Sequence, residues 1–160
     1  MFMSQSTRIS LIRHGHVHNP DLLIYGRLPG FGLSALGQQQ ARAAAEFLRD
    51  KPLGAFFSSP LLRARQTAAI VRAYHDGVPF HIAEPINEVD FFFEGQPMRD
   101  MAARNWDLYT GVPEGYEQPG DVVARVRQFL ARVRANYAGQ TIALVSHGDV
   151  IAFTTLWTFG

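Results

Sequence analysis

Two tripeptides in the chain share one design. Arg13-His14-Gly15 closes the short, apolar, β-branched run Arg8–Arg13, and Ser146-His147-Gly148 closes a second such run, Thr141–Ser146. An imidazole can act as nucleophile or proton carrier near neutral pH, and a glycine beside it lets backbone approach a ligand closely. A third strand-like run ends in Ser58-Ser59-Pro60, and the helix predicted just after Pro60 carries Arg63 and Arg65 in its first turn. A helix N-terminus with an arginine is an anion site. In an open α/β sheet, ligands bind beyond the carboxyl ends of the strands. His14, His147, Arg13 and Arg63 are therefore expected to converge on one phosphate or phosphoryl group.

That convergence requires a parallel sheet with helical crossovers. After the first strand, residues 16–32 lack a helical period and read as a long loop, a kind that is usually functional. Ser34 is a predicted N-cap for a helix whose apolar residues Ala35, Leu36, Ala41, Ala44, Ala45 and Leu48 recur at three- and four-residue spacing and which stops at Lys51-Pro52. A second strand is expected over Ala55–Ser58, a helix over Leu61–Tyr74 and a short strand over Phe80–Ala83. Asn87–Pro97 reads as irregular, with Phe91-Phe92-Phe93 flanked by Asp90 and Glu94; the three rings are expected in the core or the pocket wall. A helix is predicted over Met98–Tyr109 and a loop over Gly111–Gly120. Asp121 is expected to cap a long helix that buries Val122, Val126, Phe129, Leu130, Val133 and Tyr137. Residues after Asp149 read as helical up to Gly160. This alternation predicts a single α/β domain over residues 1–160, three-layer αβα with a mostly parallel central sheet.

Composition narrows the function classes. The 160 residues are 47% hydrophobic and 18% charged, a globular balance. A formal charge of +1 gives no global pull toward nucleic acid or a membrane surface. With no cysteine, disulfides, thiolate nucleophiles and cysteine-zinc sites are excluded. No apolar run reaches the roughly 20 residues of a membrane span, and Met1–Arg8 is polar without a secretory apolar region, so a cytoplasmic protein is expected. Lys51 alone among the 15 basic residues is a lysine; codon bias accounts for that, although arginine also suits bidentate phosphate binding.

LIRHG at Leu11–Gly15, SSPLLRARQTA at Ser58–Ala68, NE at Asn87–Glu88 and SHGDVI at Ser146–Ile151 resemble the histidine phosphatase superfamily, which contains phosphoglycerate mutases and many phosphatases. LSALGQQQA at Leu33–Ala41 and PGD at Pro119–Asp121 extend the match, in order, over essentially the whole chain. The resemblance implies a phosphoglycerate mutase-like fold with His14 as nucleophile. Arg13, Arg63, His147 and Gly148 would bind the phosphoryl oxygens. Glu88 would be the general acid and then the base that activates water, with Asp90 and Glu94 as nearby rivals. Asn19 resembles the family's phosphate-contacting asparagine. No cofactor and no metal are implied. A neutral imidazole forming a phosphoenzyme, fixed arginines and one proton-transferring carboxyl suffice for the chemistry.

Some positions depart from the family pattern. His16 stands where an acidic or small polar residue is usual, and with His14 and His18 it forms an HxHxH run that invites a metal reading. A pocket-lining His16 that adds cationic character is the expectation here. Arg65 is expected in a structural salt bridge. Val89-Asp90-Phe91 replaces the usual glycine and tryptophan after the acid, which suggests an apolar substrate-side wall. Only Ala152–Gly160 follows SHGDVI, so the chain is either a compact member or short at its C-terminus. In the latter case an exposed apolar face would favour a homodimer. The expected activity is metal-independent hydrolysis of small phosphomonoesters through a phosphohistidine on His14. The alternatives are mutase-type phosphoryl transfer, a phosphatase acting on protein phosphohistidine, and a phosphate-binding module without turnover.

Overall fold

The apolar runs that end in His-Gly form strands with the predicted bounds: β1 spans Arg8–Arg13 and β4 spans Thr141–Ser146. The structure is a computed structural model that describes residues 6–160; most of the polar start read above, residues 1–5, lies outside the described residues. Between the two strands lie α1 (Ala35–Leu48), β2 (Leu53–Ser58), α2 (Leu62–Arg72), β3 (Phe80–Ile82), α3 (Met98–Ala102) and α4 (Pro119–Asn136). Helix α5 (Gly148–Phe159) follows β4 directly. The sheet order is β1-β4-β2-β3 and every pairing is parallel.

Side-chain alternation builds the three layers. From β4, Ile142 and Leu144 face one side and pack with Ala55, Phe129 and Val133, so α4 covers that face. Ala143 faces the other side and packs with Phe56, Ala45, Leu48 and Val71, so α1 and α2 cover it. Helix α5 joins the α4 layer and reaches β1. Its apolar residues Leu156 and Phe159 are exposed. No helix among the described residues is long and apolar enough to cross a membrane.

Two helix ends, the start of α4 and the end of α3, differ from the sequence reading, each for a local reason. Ser34 caps α1 as expected, its side chain accepting from the Gly37 N–H at 3.1 Å. Helix α4 starts two residues before Asp121: Gln118 is the N-cap, and Asp121 is its partner in a capping box, accepting from the Gln118 N–H at 2.9 Å. Helix α3 ends at Ala102 rather than Tyr109, because Asn105 and Trp106 both adopt left-handed backbone angles (φ 51° and 60°) that no α-helix continues through. Asp107 then accepts from the N–H groups of Tyr109 and Thr110 and holds a turn.

Candidate active site

Sheet register brings the chemistry to one edge. Arg13 pairs with Ser146 and Ser58 with Val145, so the three parallel strands end together. The next residues remain tied: His14 N–H donates to the Ser146 carbonyl at 3.0 Å and Ser59 N–H to the Val145 carbonyl at 2.9 Å. His14 and His147 thereby stand with ring centroids 5.1 Å apart. Gly15 has a different task from the one its position suggested. A Cβ there would overlap the Gly37 carbonyl oxygen, and a Cβ on Gly37 would overlap that of His16. The two glycines let α1 press against the loop that holds His14.

The His14 ring is fixed by its own neighbour. Nδ1 lies 2.8 Å from the Gly15 carbonyl oxygen, which accepts only, so Nδ1 carries the proton and Nε2 the lone pair. Arg63 Nε donates toward that Nε2 at 3.3 Å. Arg63 is wholly buried, and its Nη2 reaches the Gly26 carbonyl (2.7 Å), His147 Nδ1 (3.3 Å) and Glu88 Oε2 (3.7 Å). The Tyr25 ring lies 4.7 Å from its Cζ. One buried guanidinium thus touches the nucleophile candidate, the second histidine and the acid candidate. His147 Nε2 meets Ser59 Oγ at 2.7 Å, while its Nδ1 stands 3.4 Å from Glu88 Oε2.

Burial sets the protonation states, with opposite sign for base and acid. Desolvation pushes His14 down to about 4, the Gly15 carbonyl opposes this, and Arg63 and Arg13 lower it further. His147 is held well below the ordinary imidazole range by the same burial, with Arg63 beside it adding to the effect. Glu88 is pushed up to about 7, chiefly by desolvation, against the Val89 N–H and Arg63, which favour its carboxylate. Near neutral pH the site holds two neutral imidazoles, a permanent cation and a carboxyl poised to give up its proton. That is the protonation pattern of general acid catalysis beside a free nucleophile.

Among the described residues, His14, Glu88 and His147 place metal-ligand atoms within 4.8 Å of one another. The buried Arg63 guanidinium within 3.3–3.7 Å of the same three side chains makes this a poor cation site and a good anion site. His16 and His18 do not extend the group. Both are exposed, and His16 Nδ1 pairs with Ser34 Oγ at 2.8 Å.

The other sequence-predicted residues fall in distinct places. Arg13 is exposed, lines a cavity of about 590 Å³ with His14, Gly15 and His16, and lies beside Gly148 at the start of α5. Asn19 lines the same cavity, but its carboxamide is bonded at both ends to Leu23 backbone, at 2.9 and 3.1 Å. Asp90 and Glu94 turn to Arg27 and away from the imidazoles. Arg65 is exposed and forms no ion pair among the described residues, because its α2 position points to solvent. Phe91 and Phe93 are core, in two separate clusters, and Phe92 packs on Tyr116; none of the three lines the cavity.

Several residues of the site carried no sequence signal. Tyr25 and Gly26 sit in the long loop, yet both contact Arg63. Thr67 accepts from the Gly15 N–H and donates to the Arg63 carbonyl, joining α2 to the His14 turn. Arg27 and Arg125 both donate to the Glu88 carbonyl, at 2.8 and 3.3 Å, and both bind Glu117. Only Thr67, four residues after Arg63 on one helix face, had a spacing that could have revealed it.

A family model for the histidine phosphatase superfamily, branch 1, matches residues 9–160. The uncharacterized protein Rv0525 of Mycobacterium tuberculosis is 38% identical over 152 residues, 91% of this chain and 75% of that one. The adenosylcobalamin/alpha-ribazole phosphatase of Salmonella typhimurium is 30% identical over 154 residues, 91% of this chain and 76% of that one. Among solved structures, mycobacterial glucosyl-3-phosphoglycerate phosphatase superposes with a TM-score of 0.78 at 29% identity, covering 92% of this chain and 76% of that one.

Proposed function

The chain belongs to the histidine phosphatase superfamily, branch 1, and on that premise we propose that it hydrolyses small phosphomonoesters, without a metal, through a phosphohistidine on His14. Its similar relatives include phosphatases. The observation that carries the reading is the unprotonated Nε2 of His14, which accepts from a buried arginine, in a side chain clustered with a carboxyl that is protonated up to about pH 7.

In the first half-reaction Nε2 attacks phosphorus and the bond from phosphorus to the ester oxygen breaks. Glu88 gives its proton to the departing alkoxide, so an alcohol leaves and Glu88 becomes a carboxylate. Arg63, Arg13, His147 and the start of α5 hold the phosphoryl oxygens, where fixed positive charge acts on the transition state without reorganising. In the second half, Glu88 takes a proton from water as the water oxygen attacks phosphorus. The N–P bond breaks, phosphate departs, and both side chains return to their starting states. The cavity reaches solvent past the exposed Arg13, His16 and Leu22. Access of water to the phosphoenzyme favours hydrolysis over mutase-type retention.

The test is hydrolysis of p-nitrophenyl phosphate in EDTA by the wild type and by His14→Ala, with rapid acid quench and intact-mass analysis of the wild type. Turnover that persists in EDTA, is lost in the variant and is accompanied by a transient single phosphorylation mapping to His14 is expected. Phosphorylation elsewhere, or activity that EDTA abolishes and added metal restores, refutes the mechanism.

A further inference from the structure

Leu22 combines two costs that ordinary loop residues avoid. Its backbone is left-handed (φ 51°), a region that disfavours residues with a Cβ, and its apolar side chain is 64% exposed. Strain of this kind persists only where the surroundings over-determine it, and it concentrates at ligand clamps. The surroundings do so here. Leu22 N–H donates to the Asn19 carbonyl at 3.2 Å, and its own carbonyl accepts from Met98 N–H at 2.7 Å. Leu23 bridges antiparallel to Pro97, Ile24 N–H donates to the Gln96 carbonyl, and Gly95 N–H to that of Ile24. Two loops remote in sequence are thereby stitched into one wall, with Leu22 and Met98 on the 590 Å³ cavity that His14 lines. Tyr25 lines the same cavity and stacks on Phe31 while its other contact is Arg63. Apolar wall and phosphoryl-binding arginine therefore share one side chain.

Several polar groups of the cavity are spent within the protein. Asn19 uses both ends of its carboxamide on Leu23, Gln40 Oε1 accepts from His16 N–H at 2.7 Å, and Thr67 Oγ1 accepts from Gly15 and donates to Arg63. No Asp or Glu among the described residues lines the cavity. Along Leu22 and Met98 a polyol or sugar leaving group would lose its water without regaining partners. An apolar face would lose nothing.

Resting on the phosphatase reading above, we propose that Leu22, Met98 and Tyr25 form a leaving-group wall that selects phosphomonoesters whose alcohol carries an apolar or aromatic face next to the ester oxygen.

The experiment compares kcat/KM for 2-phenylethyl phosphate and glycerol 3-phosphate, both esters of primary alcohols, in the wild type and in Leu22→Asn. The wild type is expected to prefer the phenylethyl ester by about tenfold or more. Leu22→Asn is expected to narrow that ratio several-fold while its urea midpoint holds or rises, since asparagine tolerates left-handed backbone better than leucine. Equal kcat/KM for the two esters in the wild type, or an unchanged ratio in the folded variant, overturns the proposal. Should Leu22→Asn fail to fold, Met98→Gln reads the same ratio. If the wild type turns over neither ester, the phosphatase reading fails. Calorimetric binding of the two esters then decides the wall: tighter binding of the phenylethyl ester sustains it and equal affinity overturns it.

Discussion

Glu88→Gln should make the protein more stable at alkaline pH while removing its general acid. The carboxyl has an ordinary value of 4.5 and about 7 in the fold. A folded-state value above the unfolded one means that the native state holds its proton longer. The stability this group contributes is complete below 4.5 and lost as pH rises through about 7. Each pKa unit corresponds to about 1.4 kcal/mol, so the buried carboxylate costs about 3 kcal/mol above pH 7. Glutamine keeps the shape and can still accept from Val89 N–H, the bond Glu88 Oε1 makes at 3.0 Å, but it has no charge to bury. His14 titrates in the opposite sense: its stability is present above 6.5 and lost as pH falls through about 4. Comparing variant with wild type at the same pH cancels that contribution. Urea unfolding at pH 4.5 and pH 8 is the assay. With a denaturant slope of about 1–3 kcal/mol per M, the variant's midpoint should gain about 1–3 M on the wild type between the two pH values. A midpoint difference that is the same at both refutes the assignment of Glu88 as a buried, protonated acid.

Two further outcomes follow from the same geometry. The profile of kcat/KM against pH should fall below about 4, where His14 protonates, and above about 7, where Glu88 ionises; the alkaline limb that belongs to the enzyme is the one that disappears in Glu88→Gln. Glu117→Gln should lower kcat by about 10- to 100-fold with a smaller effect on KM, because Arg27 and Arg125 position the Glu88 carbonyl and both lean on Glu117. Those arginines, no longer neutralised, would favour the Glu88 carboxylate and move the alkaline limb to lower pH, a shift that mere loosening of the loop would not produce.

Much of this site was readable because its groups follow strands directly. Short apolar, β-branched runs give β1 and β4 their bounds, and His14 and His147 inherit their positions from a register that parallel pairing imposes. Arg63 was readable for a similar reason, lying at the start of the helix that leaves β2. Glu88, in contrast, follows a 3-10 turn at Glu84–Ile86 in an irregular stretch with two other carboxylates nearby. The Asn87–Glu88 pair marks it by resemblance alone; physically, its packing against His147 and Arg63 separates it from Asp90 and Glu94, and packing between distant segments has no local signature. The residues of the proposed leaving-group wall were not legible for the same reason. The three phenylalanines drew attention by composition, yet the side chains that line the cavity are Leu22, Tyr25 and Met98, brought there by backbone bonds between loops some seventy residues apart.

The buried cation explains why acid and base can share so small a volume. Desolvation alone would keep both imidazoles neutral and Glu88 protonated, but it would leave an incoming phosphoryl group with no compensating charge. Arg63 supplies that charge, and its effects on the neighbours differ in sign. It reinforces burial at His14 and His147, since a cation disfavours imidazolium, and it opposes burial at Glu88, since a cation favours carboxylate. With the Val89 N–H, which opposes burial more strongly, it holds the carboxyl at about 7 instead of higher, close enough to neutrality to give its proton to an alkoxide and to accept one from water. A lysine in place of Arg63 could carry the charge. It could not donate at once to His14 Nε2, the Gly26 carbonyl and His147 Nδ1 from a planar fork whose face rests on Tyr25. The site thus depends on the shape of this cation as much as on its charge, and that shape is what joins His14 Nε2 to the acid.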